Sequence, residues 1–150
     1  EVDLCWRMKN AGHQIAYCGE STVYHIGGSV ISYGSPQKLY YNYRNSLILL
    51  LKNLSFSKLI WMLPFRLILD GVSGMRCALK GEWIEVKTII KAHWHFFLTF
   101  GKWWKKRRVS QKLISQKNEF GIYKNSIIVD YFLKKKKYFT DLVFEEKTIE

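Results

Sequence analysis

Apolar positions recur at helical spacing through the middle of the chain and lose that spacing towards both ends. Leu4, Met8 and Ala11 share one face of a short helix over residues 1–12, and Gly12 supplies the residue type that ends helices in a left-handed conformation. His13 to Tyr17 and Thr22 to His25 predict two short strands around a Cys18-Gly19-Glu20-Ser21 turn. Two short strands are marginal alone, so the pair is expected to join a larger sheet. Gly27-Gly28-Ser29 and Tyr33-Gly34-Ser35 then predict a flexible loop.

Ser35-Pro36 opens a helix, with Ser35 as N-cap and Pro36 at the first helical position. Leu39, Tyr43, Leu47, Leu50 and Leu54 form one apolar stripe along it, and it is expected to end near Asn53. A second helical stretch runs from Ser57 to about Leu69, interrupted by Pro64. Asp70-Gly71 and Gly74 predict a bend or break, with a short helix on to Lys80-Gly81. The third long helix has Trp83, Val86, Ile90, Trp94, Phe97, Gly101 and Trp104 on one stripe and Glu85, Lys91, His95, Thr99 and Lys102 on another face. It ends in Lys105-Lys106-Arg107-Arg108.

No stretch reaches the roughly 18 uninterrupted apolar residues of a spanning helix. Leu47–Leu51 is stopped by Lys52, and Leu59–Phe65 contains Pro64 and is stopped by Arg66. The helices are therefore expected to lie on a surface rather than cross it. Residues 1–35 are expected to form one unit, 36–109 an amphipathic helical membrane-surface region, and 110–150 a tail without an assigned role.

Charge sharpens that picture. The chain has 150 residues, 48% of them apolar, enough for one domain with a core. Its net charge of +12 is uneven, with a net of −1 over residues 1–35, +11 over 36–110 and +2 over 111–150. Such a basic middle is expected to meet phosphate, of anionic lipid or of nucleic acid. Tryptophans amid Lys and Arg could stack bases or sit at lipid headgroups, and their helical spacing favours the headgroups. Cys5, Cys18 and Cys77 are odd in number and lack metal spacing, so they read as reduced thiols. His93 and His95 are two apart, which puts them on different helix faces and argues against a metal pair.

The chemistry is concentrated early. Glu1-Val2-Asp3-Leu4-Cys5-Trp6-Arg7 places an acid, a spacer, Asp-Leu, two residues and Arg at a helix start. A helix N-terminus favours an ionised carboxylate, and Asp3 and Arg7, four apart, can pair on one face. Some twenty residues on, Val23-Tyr24-His25-Ile26-Gly27-Gly28-Ser29 reads as a strand ending in His and running into glycines. Ser35-Pro36-Gln37-Lys38-Leu39-Tyr40-Tyr41-Asn42-Tyr43-Arg44-Asn45 follows as a Tyr-rich helix carrying an Arg-Asn pair.

In this order and at these intervals, the three segments resemble the family 2 glycosyltransferases of the GT-A fold, in particular bacterial rhamnosyltransferase-like members. The resemblance is close over residues 1–54, looser to about 108 and absent beyond. It implies an α/β remnant, the acceptor-side end of a GT-A domain, followed by mainly α amphipathic helices. It implies Glu1 as the base that takes a proton from the acceptor hydroxyl, with Asp3 beside it among the catalytic residues. His25 would ligate a divalent metal (Mg or Mn) or donate to the donor diphosphate, with Gly27, Gly28, Ser29 and Arg44 lining the phosphates. The family's Asp-x-Asp metal motif, nucleotide-binding strands and first acid do not occur in the chain. The whole that the resemblance implies is an inverting glycosyltransferase moving a sugar from a nucleotide-sugar donor to a lipid-linked or polysaccharide acceptor in cell-surface glycan synthesis, peripheral at the cytoplasmic face of the cell membrane. The chain alone, read as a truncated piece, is expected to be inactive. The alternative is a non-catalytic basic module binding anionic membrane or nucleic acid.

Overall fold

The computed structural model describes residues 2–16, 18–24, 31–32, 34–114, 123, 125 and 127–142. They fall in two compact units, 1–115 and 116–150. The first contains helices α1 (Val2–Asn10), α2 (Pro36–Asn53), α3 (Phe56–Leu79), α4 (Trp83–Leu98) and α5 (Phe100–Lys112), and the second contains α6 (Ile127–Phe132) and a 3-10 turn, Phe139–Asp141.

No strand occurs among the described residues, so the expected α/β remnant is corrected to an all-helical unit. Residues 13–16 and 21–24 are irregular chain about a turn in which Ser21 N–H reaches the Cys18 carbonyl at 3.3 Å. The alternating pattern there meets no sheet edge, and a lone two-stranded pairing buries too little to hold itself together.

α2 is the hub, packed against α1, α3, α4 and α5. Its start follows local chemistry: Ser35 Oγ accepts from Lys38 N–H at 3.3 Å, and Pro36 takes the first position. Leu47, Ile48 and Leu51 of α2 meet Leu59 of α3 and Phe96 of α4 in the core, with Leu54, Leu63, Leu67, Phe100, Trp103 and Trp104 packed around them.

The C-terminus of α2 is closed from α5. Arg107, only 5% exposed, donates through Nη1 to the carbonyls of Leu51 and Leu54, both at 2.6 Å. Gln111 Nε2 donates to the carbonyl of Lys52 at 3.0 Å. These are carbonyls that a helix end leaves without intrahelical partners. Arg107 therefore does not belong to a solvent-facing cationic cluster with Lys105, Lys106 and Arg108, which are exposed.

Two further expectations change. α3 runs unbroken through Pro64, Gly71 and Gly74. Both halves are held from inside, by Leu59, Leu63 and Leu67 in the core and by Asp70 and Cys77 in buried positions beyond it. The long third helix is instead two, broken at Thr99. The Thr99 hydroxyl donates to the His95 carbonyl at 2.6 Å and accepts from Trp103 Nε1 at 3.1 Å, a side-chain competition that bends helices.

In the second unit, Asp130 is buried at the centre of a small polar knot. It pairs with Lys134 at 2.8 Å and accepts from the Tyr123 hydroxyl. These two hydrogen bonds hold its carboxyl below the ordinary aspartate range.

Candidate functional site

Asp3 is the first of the expected site residues that the structure describes. Its carboxylate takes Arg7 Nε at 3.1 Å, the expected pairing within α1, and also Lys52 Nζ at 2.6 Å and Asn53 Nδ2 at 2.9 Å from the end of α2. Partial burial pushes its pKa up, but the hydrogen bonds and charges of Lys52, Asn53 and Arg7 outweigh that and hold it below the ordinary 3.8. With three donors around it, this carboxylate ties α1 to α2. Leu4 and Met8, the expected apolar face of α1, point to solvent instead.

Arg44 lies eight residues before Lys52, about 12 Å along the α2 axis, so Asp3 and Arg44 sit at separate points of the same helix. The Arg44 guanidinium lies 5.1 Å from the ring centroids of both Tyr40 and Tyr41. It donates to Asn45 Oδ1 at 3.1 and 3.0 Å and to the Tyr40 oxygen at 3.1 Å. Glu1, His25, Gly27, Gly28 and Ser29 lie outside the described residues.

Around Tyr40 a cleft of about 460 Å³ opens between α2 and α4, lined by Pro36, Gln37, Tyr40, Tyr41, Thr88, Lys91 and His95. Tyr40 O–H bonds His95 Nδ1, and Lys91 Nζ lies 5.9 Å from the Tyr40 ring centroid. No carboxylate pairs with Arg44 or Lys91 among the described residues. The spacing of Tyr40 and Arg44, one turn apart on α2, and of Lys91 and His95, one turn apart on α4, was visible in the sequence. Their convergence needed the packing of α2 on α4.

A second feature distinguishes α3. Between Lys58 and Arg76 its only charged residues are Arg66 and Asp70, and both turn inward. Asp70, 2% exposed, lies 2.9 Å from Arg66 Nε and 3.0 Å from His93 Nε2 on α4. Ser73 Oγ meets the Tyr43 hydroxyl at 2.7 Å, and Tyr43 lies edge-on to His93. The outer face carries Trp61, Phe65, Ile68, Val72, Met75 and Leu79, at alternating spacings of four and three, all at least half exposed. On α4, Ile89, Ala92 and Phe96 are buried, while Trp83, Ile90, Trp94 and Phe97 of the expected stripe face outward. The inner side of α3 thus combines Leu59, Leu63 and Leu67 with the Arg66–Asp70 pair, while its outer side is apolar, unlike a helix packed for water on its outer side.

One further cluster has metal-ligating residue types: Cys77, Glu82 and Glu85, at the turn between α3 and α4, bring their ligand atoms within 4.8 Å of one another. The Cys77 thiol donates to Glu85 at 3.3 Å. Burial, then the two carboxylates, push its pKa up, which keeps the proton on sulfur and disfavours the thiolate that a metal requires. The cluster does not fit the divalent ion expected near His25. No helix among the described residues is long and apolar enough to cross a membrane. No protein-family model, curated protein or solved structure matches the chain.

Proposed function

We propose that this chain is the acceptor-side, membrane-surface part of an inverting glycosyltransferase, moving a sugar from a nucleotide-sugar donor to a lipid-linked or polysaccharide acceptor in cell-surface glycan synthesis. The observation that carries the reading is the apolar outer face of α3, on which Trp61, Phe65, Ile68, Val72 and Met75 are exposed with no charged residue among them. Such a face is costly in water and favourable in the apolar part of a lipid interface. With α4 it supports a position at the surface where lipid-linked intermediates reside, to which the exposed Lys105, Lys106 and Arg108 would add charge for anionic headgroups.

The transferase half of the proposal rests on the resemblance over residues 1–54. The tie from Asp3 to Lys52 and Asn53 supports it, because it fixes the helix that follows the candidate base Glu1 to the same unit as the membrane face. On this reading Glu1 takes the proton from the acceptor hydroxyl, while His25, Gly27, Gly28 and Ser29 belong to the donor side, where the metal supplies charge neutralisation for the diphosphate.

A nucleic-acid module is the weaker reading. Base stacking needs aromatic rings interleaved with cations on one surface, and the outer face of α3 presents Trp61 and Phe65 without a cation among them. The transferase half is tested in the enzyme that carries this chain. Glu1→Gln is expected to lower transfer by about two to four orders of magnitude with donor affinity unchanged. Near-normal turnover of that variant removes Glu1 from the mechanism, and no sugar transfer by the unmutated enzyme removes the transferase reading.

A further inference from the structure

The cleft around Tyr40 carries donors that no role described so far uses. Arg44 donates to the Tyr40 oxygen, and the Tyr40 hydroxyl is hydrogen-bonded to His95 Nδ1. In the protonated imidazole Nε2 carries a hydrogen as well, so in that state His95 offers an N–H beyond the Tyr40 contact. Lys91 is exposed, has no carboxylate partner among the described residues and lies against the Tyr40 ring, and the Gln37 amide lines the same space. Pro36 and Gln37 are the first two residues of α2, so the positive end of an 18-residue helix opens on the cleft as well.

We infer that this cleft is a binding site for a phosphorylated sugar, the phosphate held by Lys91 and His95 and the sugar ring lying against Tyr40 and Tyr41. The charge argument selects an anion, because Arg44, Lys91 and His95 surround one phenol and no acid lines the space among the described residues. The volume selects more than a bare phosphate. The paired Tyr rings, 5.3 Å apart and at 63° to each other, give an apolar wall suited to the C–H face of a sugar. A lipid-linked sugar diphosphate and a soluble sugar phosphate share this chemistry. That the lipid-linked form is the occupant rests on the membrane reading above.

The experiment titrates the chain with glucose 1-phosphate and, separately, floats it with three vesicles: plain phosphatidylcholine, phosphatidylcholine doped with a polyprenyl diphosphate sugar, and phosphatidylglycerol-rich. Lys91→Gln and His95→Gln are each expected to weaken glucose 1-phosphate binding about tenfold, the loss of one charge-assisted hydrogen bond. Both side chains are exposed, so folding is unaffected. Lys112→Gln, elsewhere on the surface, is expected to leave that affinity unchanged. No saturable binding, or an equal loss in Lys112→Gln, overturns the site. Retention on the doped neutral vesicles beyond the plain ones, lost in Lys91→Gln, supports the lipid-linked occupant, and retention indifferent to Lys91 overturns it. The phosphatidylglycerol-rich arm reads the membrane proposal by itself. If it fails while glucose 1-phosphate still binds in a Lys91-dependent manner, the membrane reading falls and the site stands.

Discussion

Replacing Arg107 by Met removes a buried cation that closes the end of α2. The guanidinium sits 2.6 Å from each of two carbonyls, those of Leu51 and Leu54, and is 5% exposed. A hydrogen bond to a charged group contributes about 1.5–3 kcal/mol net, and a carbonyl left buried without a donor costs about 1–3 kcal/mol. Gln111 still reaches Leu54 at 3.4 Å, so the Leu51 carbonyl bears most of the loss. Burial itself works against the guanidinium, pulling its pKa down, and Met recovers part of that desolvation cost. The net expected loss is about 2–4 kcal/mol. For a unit of this size that lowers the melting temperature by roughly 6–16 °C, read by circular dichroism at 222 nm. Arg107→Lys, with a single ammonium in place of the fork, should fall between. The neighbouring Lys106→Met is the control, since Lys106 is exposed against Trp103, and its effect should stay within about 0.5 kcal/mol. Equal melting temperatures for Arg107→Met and Lys106→Met would refute the capping role.

Asp3 gives a pH-dependent prediction. Its folded pKa is depressed, so its contribution is fully present above the unfolded aspartate value and is lost as pH falls through the folded one. Amide exchange in α1 should therefore accelerate below about pH 4, and Asp3→Asn should exchange fast already at neutral pH with little further change in acid. Asp70→Ala strands Arg66 and His93 without their shared carboxylate, and an expected loss of about 2–4 kcal/mol, discounted for the part-exposed Arg66, follows from breaking a buried pair. Asp70→Asn keeps a hydrogen bond to His93 and should lose less in the same thermal melt.

The helical part of the fold was legible where one residue decides a local event. Ser35-Pro36 fixes the start of α2, and Gly12, at φ 89°, ends the first turn region after α1. The pairing of Asp3 with Arg7 follows from a spacing of four. What sequence did not reveal depends on partners far along the chain. Arg107 reads as one of four adjacent cations, and only the arrival of α5 at the end of α2 singles it out. α4 is apolar on two faces, so periodicity marks Trp83, Ile90, Trp94 and Phe97 as readily as Ile89, Ala92 and Phe96, and only packing decides which is inside. Pro64 signals a break, yet the inner contacts of α3 on both sides of it outweigh the lost hydrogen bond. The two expected strands failed because alternation specifies a strand only where a sheet edge receives it. At the Tyr40 cleft, Arg44 stood out in the sequence by its planar fork and Lys91 and His95 by sharing one helix face, whereas the meeting of the two groups, some fifty residues apart, depends on the packing of α2 on α4.

The central claim, that the outer face of α3 meets lipid, is tested most directly by vesicle flotation across salt. On phosphatidylglycerol-rich vesicles the chain should bind at about 0.1 M salt and bind less, yet persistently, at about 1 M, where the Debye length shrinks from about 10 Å to about 3 Å. Lys105→Gln, Lys106→Gln and Arg108→Gln together should remove most of the salt-sensitive part, at about 1 kcal/mol per cation near the surface. Phe65→Glu with Val72→Glu should abolish the salt-resistant part without unfolding, since both side chains already face outward. Undiminished high-salt flotation of that double variant, with circular dichroism unchanged, would contradict the account. So would steep, log-linear salt dependence of oligonucleotide binding with no flotation at all.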